Sequence, residues 1–118
     1  MKYMLLIYTS PDIPEPAPAE GEAEMAKWFS YSESLVAAGA MVGGDPLEGP
    51  VTATTVRVRD GKRLVTDGPF AETKEALMGY YLIDCASLDE ALDWAEKVPA
   101  SPFGSIEVRP IMDMPMPN

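Results

Sequence analysis

The sequence predicts an α+β domain of the ferredoxin-like, split βαβ type. Its segments follow the order β, α, short β, β-hairpin, β, α, β, which is the plan of that fold. A chain of 118 residues has the common size of one domain. Two of the strands are apolar on both faces, as inner strands of a covered sheet are. We therefore expect a single domain over residues 1–111 and a Pro/Met-rich C-terminal arm over residues 112–118.

The first half of the chain predicts a strand, a loop and a helix. Residues 2–8 are almost continuously apolar and predict a central strand. Four prolines within residues 10–18 indicate a surface loop. Residues 20–38 predict a helix that ends at Gly39, because apolar residues recur there at three- and four-residue spacing. These apolar positions are Met25, Trp28, Phe29, Leu35 and Val36.

The middle of the chain predicts a hairpin. A short strand is expected over residues 40–42, and the turn-rich GGDPLEGP, residues 43–50, is expected to be a loop. Residues 51–66 are rich in Val and Thr around Asp60-Gly61, a dipeptide typical of two-residue hairpin turns. We expect two antiparallel strands joined at that turn.

The second half predicts an inner strand, a helix and a final strand. Residues 77–84 are apolar on both faces. Ser87 and Glu90 have the spacing of a capping box, so a helix is expected from there to about Val98. Residues 105–111 predict the last strand. No internal repeat is present.

The two inner strands also predict a homodimer. Two helices cover one face of a four-stranded sheet and leave the other face bare. That bare face has an area of roughly 300 Å², comparable with the largest apolar patches tolerated on monomers. A second copy packed sheet to sheet around a two-fold axis is the usual way to cover such a face.

Composition excludes several classes of function. The net charge of −10 disfavours nucleic acids and anionic membranes as partners. No apolar stretch has the roughly 20 residues that a membrane span requires. The single cysteine, Cys85, is expected to be a packing residue, and without an internal disulfide a cytoplasmic location is the default. Since the chain has no histidine, it lacks the ligands of an ordinary zinc site, and we expect no metal and no cofactor.

The run DGPFAETKE, residues 67–75, is the first candidate for a functional site. Asp67, Lys74 and Glu75 are candidate catalytic or ligand-binding residues, because a neighbouring carboxylate and ammonium can orient a polar ligand or transfer a proton. The structural alternative is an ion pair that locks the loop. Phe70 is expected to pack the turn onto apolar surface.

Further candidates lie on the strands. Tyr80 and Tyr81 are adjacent, so one ring must enter each face of the sheet. One, taken here as Tyr81, presents its hydroxyl to a cleft, or both belong to the core and the dimer contact. Arg57 lies in a basic cluster that forms either an anion site or a solvated hairpin tip. Asp45 either reaches the same cleft or is an acidic turn residue.

A long pattern carries a family resemblance. It is TATTVRVRDGKRLVTDGPFAETKEALMGYYLIDCASLDEALDWAEKVP followed by GSIEVRP, and it resembles the DGPF branch of the YCII-related family. The resemblance implies a dimeric α+β barrel of two ferredoxin-like units with a cleft near the subunit contact. It also implies a link to extracytoplasmic-function sigma factors, beside which some relatives are encoded. Other YCII-like proteins are associated with a His-Asp pair, for which this chain has no histidine.

Three hypotheses follow. The first is a homodimeric domain that binds a small polar or anionic molecule in a cleft beside the DGPF loop, with the ligand-binding residues Asp67, Lys74, Glu75, Tyr81 and Arg57. The second is a cofactor-free enzyme in which Asp67 or Glu75 is the base and Lys74 or a tyrosine stabilises negative charge. The third is a regulatory partner of a sigma factor.

Overall fold

The computed structural model describes residues 1–115, which form a four-stranded sheet, two α-helices and a separate two-stranded hairpin. In chain order the elements are β1 (Lys2–Thr9), α1 (Pro18–Ala37), β2 (Met41–Pro46), a 3-10 turn (Pro50–Thr52), β3 (Thr54–Arg59), β4 (Lys62–Asp67), β5 (Ala76–Asp84), α2 (Leu88–Glu96) and β6 (Ser105–Pro110). Residues 112–115 of the expected C-terminal arm form no helix or strand, and residues 116–118 lie outside the described chain.

The main sheet has the strand order β2-β5-β1-β6, and every neighbouring pair is antiparallel. This is the strand order of a ferredoxin-like, split βαβ domain, with the β3–β4 hairpin inserted between its second and third strands. The α+β fold class is confirmed. So is the inner position of β1 and β5, which follows from their two-sided apolar pattern.

The core lies between the helices and one face of the sheet. Leu5 and Ile83 from the inner strands and Leu35 and Val98 from the helical layer are all fully buried. Burying each such side chain contributes about 1.5 to 3 kcal/mol. Alternate residues of β1 and β5 lie on the opposite face, where Met4, Leu6, Tyr80 and Leu82 are half-buried. We call this second surface the open face.

Two expected helix signals are present at the predicted residues. The Ser87 hydroxyl oxygen accepts a hydrogen bond from the Glu90 backbone N–H at 3.3 Å, which caps α2. Gly39 has a φ of 71°, the left-handed geometry that ends α1. Neither helix of the described chain combines the length and apolarity that a bilayer span requires.

The expectation of a loop immediately after residue 42 is wrong, because β2 continues to Pro46. Gly44 makes this continuation possible. A Cβ atom there would lie 2.8 Å from the Tyr80 carbonyl oxygen and 2.9 Å from the Tyr81 ring, so only glycine lets the two strands approach so closely.

The β3–β4 hairpin, residues 54–67, extends away from the body of the domain. Asp60 and Gly61 have φ angles of 53° and 74°, as a type I′ turn requires, which confirms the predicted turn. Within residues 1–115 its strands pair only with each other. The radius of gyration is 16.7 Å, whereas a compact chain of this length would have about 13.5 Å. The shape therefore fits a body with a projecting hairpin.

Candidate functional site

The DGPF loop is attached to β3 by polar contacts. The Thr55 hydroxyl donates to the Gly68 carbonyl oxygen at 2.8 Å. The Arg57 guanidinium donates to the Phe70 carbonyl oxygen at 3.3 Å. Gly68 has a φ of 95°, which favours glycine at this bend. Arg57 therefore has a structural role in holding the loop.

The loop does not gather the predicted site residues into one cluster. Asp67 and Lys74 are both exposed. The ion pair that was the structural alternative is absent, because the salt bridges of residues 1–115 are Met1–Asp84 and Lys27–Glu24. Phe70 does not pack onto apolar surface as expected, since 77% of it is exposed. The catalytic and ligand-binding roles of Asp67, Lys74 and Glu75 stay predictions.

Glu75 differs from its neighbours in the loop because it is half-buried. Its Oε1 atom accepts a hydrogen bond from the Ser105 hydroxyl at 3.1 Å. Its Oε2 atom is buried and has no hydrogen-bond partner in the described chain. An unpaired buried acceptor costs about 1 to 3 kcal/mol, so a donor from outside the chain would be favoured here.

The other basic residues of the hairpin form a solvated tip, as one of the two alternatives predicted. Arg59, Lys62 and Arg63 are all exposed. Arg59 and Lys62 are directly opposite one another at the end of the hairpin. Like charges placed so close repel, so this tip favours an acidic surface nearby.

A cleft lies elsewhere, between the Pro-rich loop, the middle of α1, the end of β2 and the adjoining part of β5. Its volume is about 680 Å³, within the range of small-molecule sites. Most of its lining is apolar. The lining includes Ile13, Pro14, Met25, Trp28, Phe29, Met78, Tyr81 and Phe103.

Stacked aromatic rings build one wall of this cleft. Trp28 and Tyr81 are stacked with ring centroids 6.5 Å apart and planes 7° from parallel. Tyr31 contacts the Tyr81 ring edge-on at 5.2 Å and donates its hydroxyl to the Trp94 carbonyl oxygen at 2.8 Å. Burial, with a smaller contribution from Tyr81, raises the pKa of Tyr31 well above its usual range. The wall is therefore neutral and held by α2 behind it.

Two hydrogen-bonded pairs bring polar groups to the cleft lining. The Ser32 and Tyr81 hydroxyl oxygens lie 2.9 Å apart. The Tyr80 hydroxyl donates to Asp45 Oδ2 at 2.8 Å, and this hydrogen bond raises the pKa of Tyr80. Tyr81 lies on the helix side of the sheet and Tyr80 on the open face, so the prediction that one ring enters each face is confirmed.

The charged lining of the cleft is acidic. Glu15 and Asp45 contribute carboxylates, and no basic residue of the described chain lines the cleft. Asp45 thus reaches a cleft, although the DGPF loop does not border it. Arg57 and Lys74, which were expected to attract an anion, lie outside this lining.

Comparison with known proteins identifies the family. The YCII-related domain matches residues 1–115. The chain belongs to the YCII-related family. It is also 43% identical over 114 residues to an uncharacterized protein of Rhizobium meliloti (strain 1021), a match that covers 94% of this chain and 92% of that protein. The YCII-related assignment predicted from the sequence is confirmed, and the DGPF branch within that family stays a prediction.

This YCII-related domain has no counterpart of the His-Asp pair associated with other members, since it contains no histidine. Among residues 1–115 no three potential His, Cys, Asp or Glu ligands cluster into a metal site. Cys85 packs beside the core, and its thiol donates to the Ser87 carbonyl oxygen at 3.4 Å. Burial raises the pKa of this thiol, in keeping with the expected packing role.

Sequence reasoning missed this cleft because its helical residues were used only to predict that α1 forms. Met25 and Phe29 belong to the apolar pattern of α1, yet 56% and 63% of these side chains remain exposed. A signal was present in the sequence. Met25, Trp28, Phe29 and Ser32 form one helical stripe directly after a loop of four prolines, and the loop and this stripe line the cleft together.

Proposed function

We propose that this YCII-related domain binds a small, largely apolar molecule that carries a positive charge or hydrogen-bond donors. The observation that carries this proposal is the pairing of an aromatic wall with carboxylates in a cleft of about 680 Å³. Aromatic faces attract cations as well as apolar groups. The carboxylates of Glu15 and Asp45 add the same preference.

The contacts support a division of roles within the cleft. Trp28 and Phe29 supply apolar area for a ligand ring. The Ser32–Tyr81 hydroxyl pair supplies one donor and one acceptor that are already oriented. Asp45 is fixed by Tyr80, so its second carboxylate oxygen is free to accept a hydrogen bond or to pair with a cation.

We further propose that the domain is a homodimer joined through the open face. Met4, Leu6 and Leu82 on that face are only half-buried, although they lie on the two inner strands. Covering them removes an apolar patch of roughly 300 Å² from water. The dimeric α+β barrel implied by the family resemblance has this arrangement.

A polar ligand beside the DGPF loop is the second candidate. It is favoured by the unpaired Oε2 atom of Glu75, which would accept a hydrogen bond from a ligand donor. The cofactor-free enzyme has less support, because Asp67 and Lys74 are exposed and not joined by an ion pair. The sigma-factor link has only the resemblance behind it.

The test is a binding screen with matched amines and carboxylic acids built on the same aromatic rings. Tryptophan fluorescence responds to a ligand at Trp28, since the other tryptophan, Trp94, does not line the cleft. The melting temperature rises with any ligand that binds the native state. We expect the amines to bind and the acids to bind at least tenfold more weakly. Preferential binding of the acids would contradict the proposal.

Two variants locate the binding. Phe29→Ala removes a cleft residue and should weaken amine binding about tenfold, whereas Val36→Ala, on the same helix and equally exposed at 63%, should not change it. Asp45→Asn keeps an acceptor for Tyr80 but removes the charge, so amines should lose affinity and uncharged analogues should not. Equal effects of Phe29→Ala and Val36→Ala would place the ligand elsewhere.

A further inference from the structure

The hairpin, residues 54–67, has unpaired strand edges and exposed apolar side chains that no other part of residues 1–115 covers. Its strands pair with no third strand within residues 1–115. An isolated two-stranded hairpin is at best marginally stable in water. Val56, Val58 and Val65 lie on one of its faces, and between 54% and 62% of each side chain is exposed.

The charge of the hairpin is opposite to that of the rest of the molecule. Four of the nine basic residues of the chain and two of its nineteen acidic residues lie within residues 54–67. The hairpin therefore carries a charge of +2, and the remainder carries −12. An acidic surface complements a basic hairpin, and a second copy of this chain offers an acidic body with a charge of −12.

We infer that the hairpin of each subunit packs against the acidic body of its partner, so that two hairpins clasp the dimer reciprocally. Under a two-fold axis the hairpin of each subunit contacts the same surface of the other subunit, so the two contacts are identical. The inference rests on the proposed dimer, but it does not depend on the ligand of the cleft.

The available area fits this arrangement. One face of a six-residue hairpin projects about 200 Å². Each subunit then contributes one hairpin face, an equal area that receives the partner's hairpin, and the open face of roughly 300 Å². The total of about 700 Å² per subunit approaches the roughly 800 Å² of a standard stable interface. The open face alone would not reach it.

The first experiment measures the dimer dissociation constant by analytical ultracentrifugation of the full chain. Arg59→Glu/Arg63→Glu reverses two exposed charges at the hairpin tip. It keeps the hydrogen bond from Arg57 to the Phe70 carbonyl oxygen of the DGPF loop. Lys27→Glu/Lys97→Glu, in the middle of α1 and at the C-cap of α2, produces the same net charge of −14. We expect the tip variant to raise the dissociation constant at least tenfold, and the helix variant to raise it less than threefold.

The second experiment identifies the contact directly. A carbodiimide joins a lysine amine to a carboxylate that touches it, and mixing ¹⁴N- and ¹⁵N-labelled chains separates links between subunits from links within one. We expect Lys62 to be linked to Asp or Glu of the other chain, and Lys27 to its own Glu24, from which it lies 2.9 Å.

The outcomes separate the two proposals. A dimer that persists unchanged in the tip variant, or Lys62 linked only within its own chain, would overturn the clasp and leave the sheet-to-sheet dimer standing. A wild-type chain that stays monomeric at micromolar concentration would overturn both. Loss of dimer in both variants alike would show general charge repulsion and would also overturn the clasp.

Discussion

The body of the domain and the β3–β4 hairpin are built from similar strand-forming residues, but they differ in burial. Leu5, Leu35 and Ile83 of the body are completely shielded from solvent, whereas Leu64 and Val58 of the hairpin are 47% and 62% exposed. Strand propensity and turn chemistry are local, so both regions form β-structure. Burial depends on neighbours from distant parts of the chain. The difference shows that apolar side chains on a strand can form either a buried core or an exposed contact surface, and that their neighbours decide which.

The largest expected effect compares one substitution in both regions. Leu35→Ala should lower the free energy of unfolding by about 2 to 5 kcal/mol, because it leaves a cavity in the core. Leu64→Ala should lower it by less than about 1 kcal/mol in the monomer, because the side chain is half exposed already. Urea unfolding at low protein concentration measures both. Equal losses would break the distinction between body and hairpin.

A glycine in each region gives the second comparison. Gly104→Ala should cost at least about 2 kcal/mol, because its Cβ would collide with the Tyr8 carbonyl oxygen beneath it. Gly61→Ala has free space around its Cβ and should cost about 1 kcal/mol, from its positive φ of 74° alone. Thermal unfolding ranks the two variants. If Gly61→Ala were the less stable of the two variants, a collision at Gly104 and a positive φ at Gly61 would not explain their stabilities.

Removing one side-chain hydrogen bond in each region should have a smaller effect on the free energy of unfolding. Ser87→Ala removes the N-cap of α2 and should cost about 1 kcal/mol of global stability. Thr55→Val removes only the contact with the Gly68 carbonyl, so it should cost less than about 0.5 kcal/mol and act on the loop. Hydrogen exchange would locate the change. Faster exchange throughout the sheet in Thr55→Val would mean that the hairpin is coupled to the core.

The smallest effect is expected at alkaline pH and concerns the body, since the hairpin contains no tyrosine. The pKa of Tyr31 is raised by burial, so its stabilising contribution is complete below the unfolded pKa of about 10 and declines as the pH rises above it. At pH 10 the loss is about 0.4 kcal/mol. Absorbance titration of wild type and Tyr31→Phe checks this, and a Tyr31 phenol that ionises normally in the native state would contradict it.

Most of the fold could be predicted because its signals are local. The continuous apolar run of β1, the Ser87 cap, Gly39 and the Asp60-Gly61 turn each act within a few residues. The extension of β2 was missed because its cause, the close approach of Gly44 to Tyr80 and Tyr81, joins residues far apart in the chain.

The candidate site was much less predictable. Conspicuous charges led to Asp67 and Lys74, yet their exposure leaves them without a common cavity. Tyr81 and Asp45 were candidates that the fold does bring to the cleft. Phe29 and Trp28 were predicted only as apolar positions of a helix, because helical spacing shows which residues share a stripe but not what covers that stripe.

The sequence by itself determined the family, the order of the elements and the acidic character of the body, since these depend on residue identity and spacing. Only the tertiary structure decided which apolar residues are covered, where the cleft opens and that the hairpin pairs with no third strand of residues 1–115. The physical reason is that burial is a property of contacts between distant segments, and a local pattern specifies the surface of an element without specifying its neighbour.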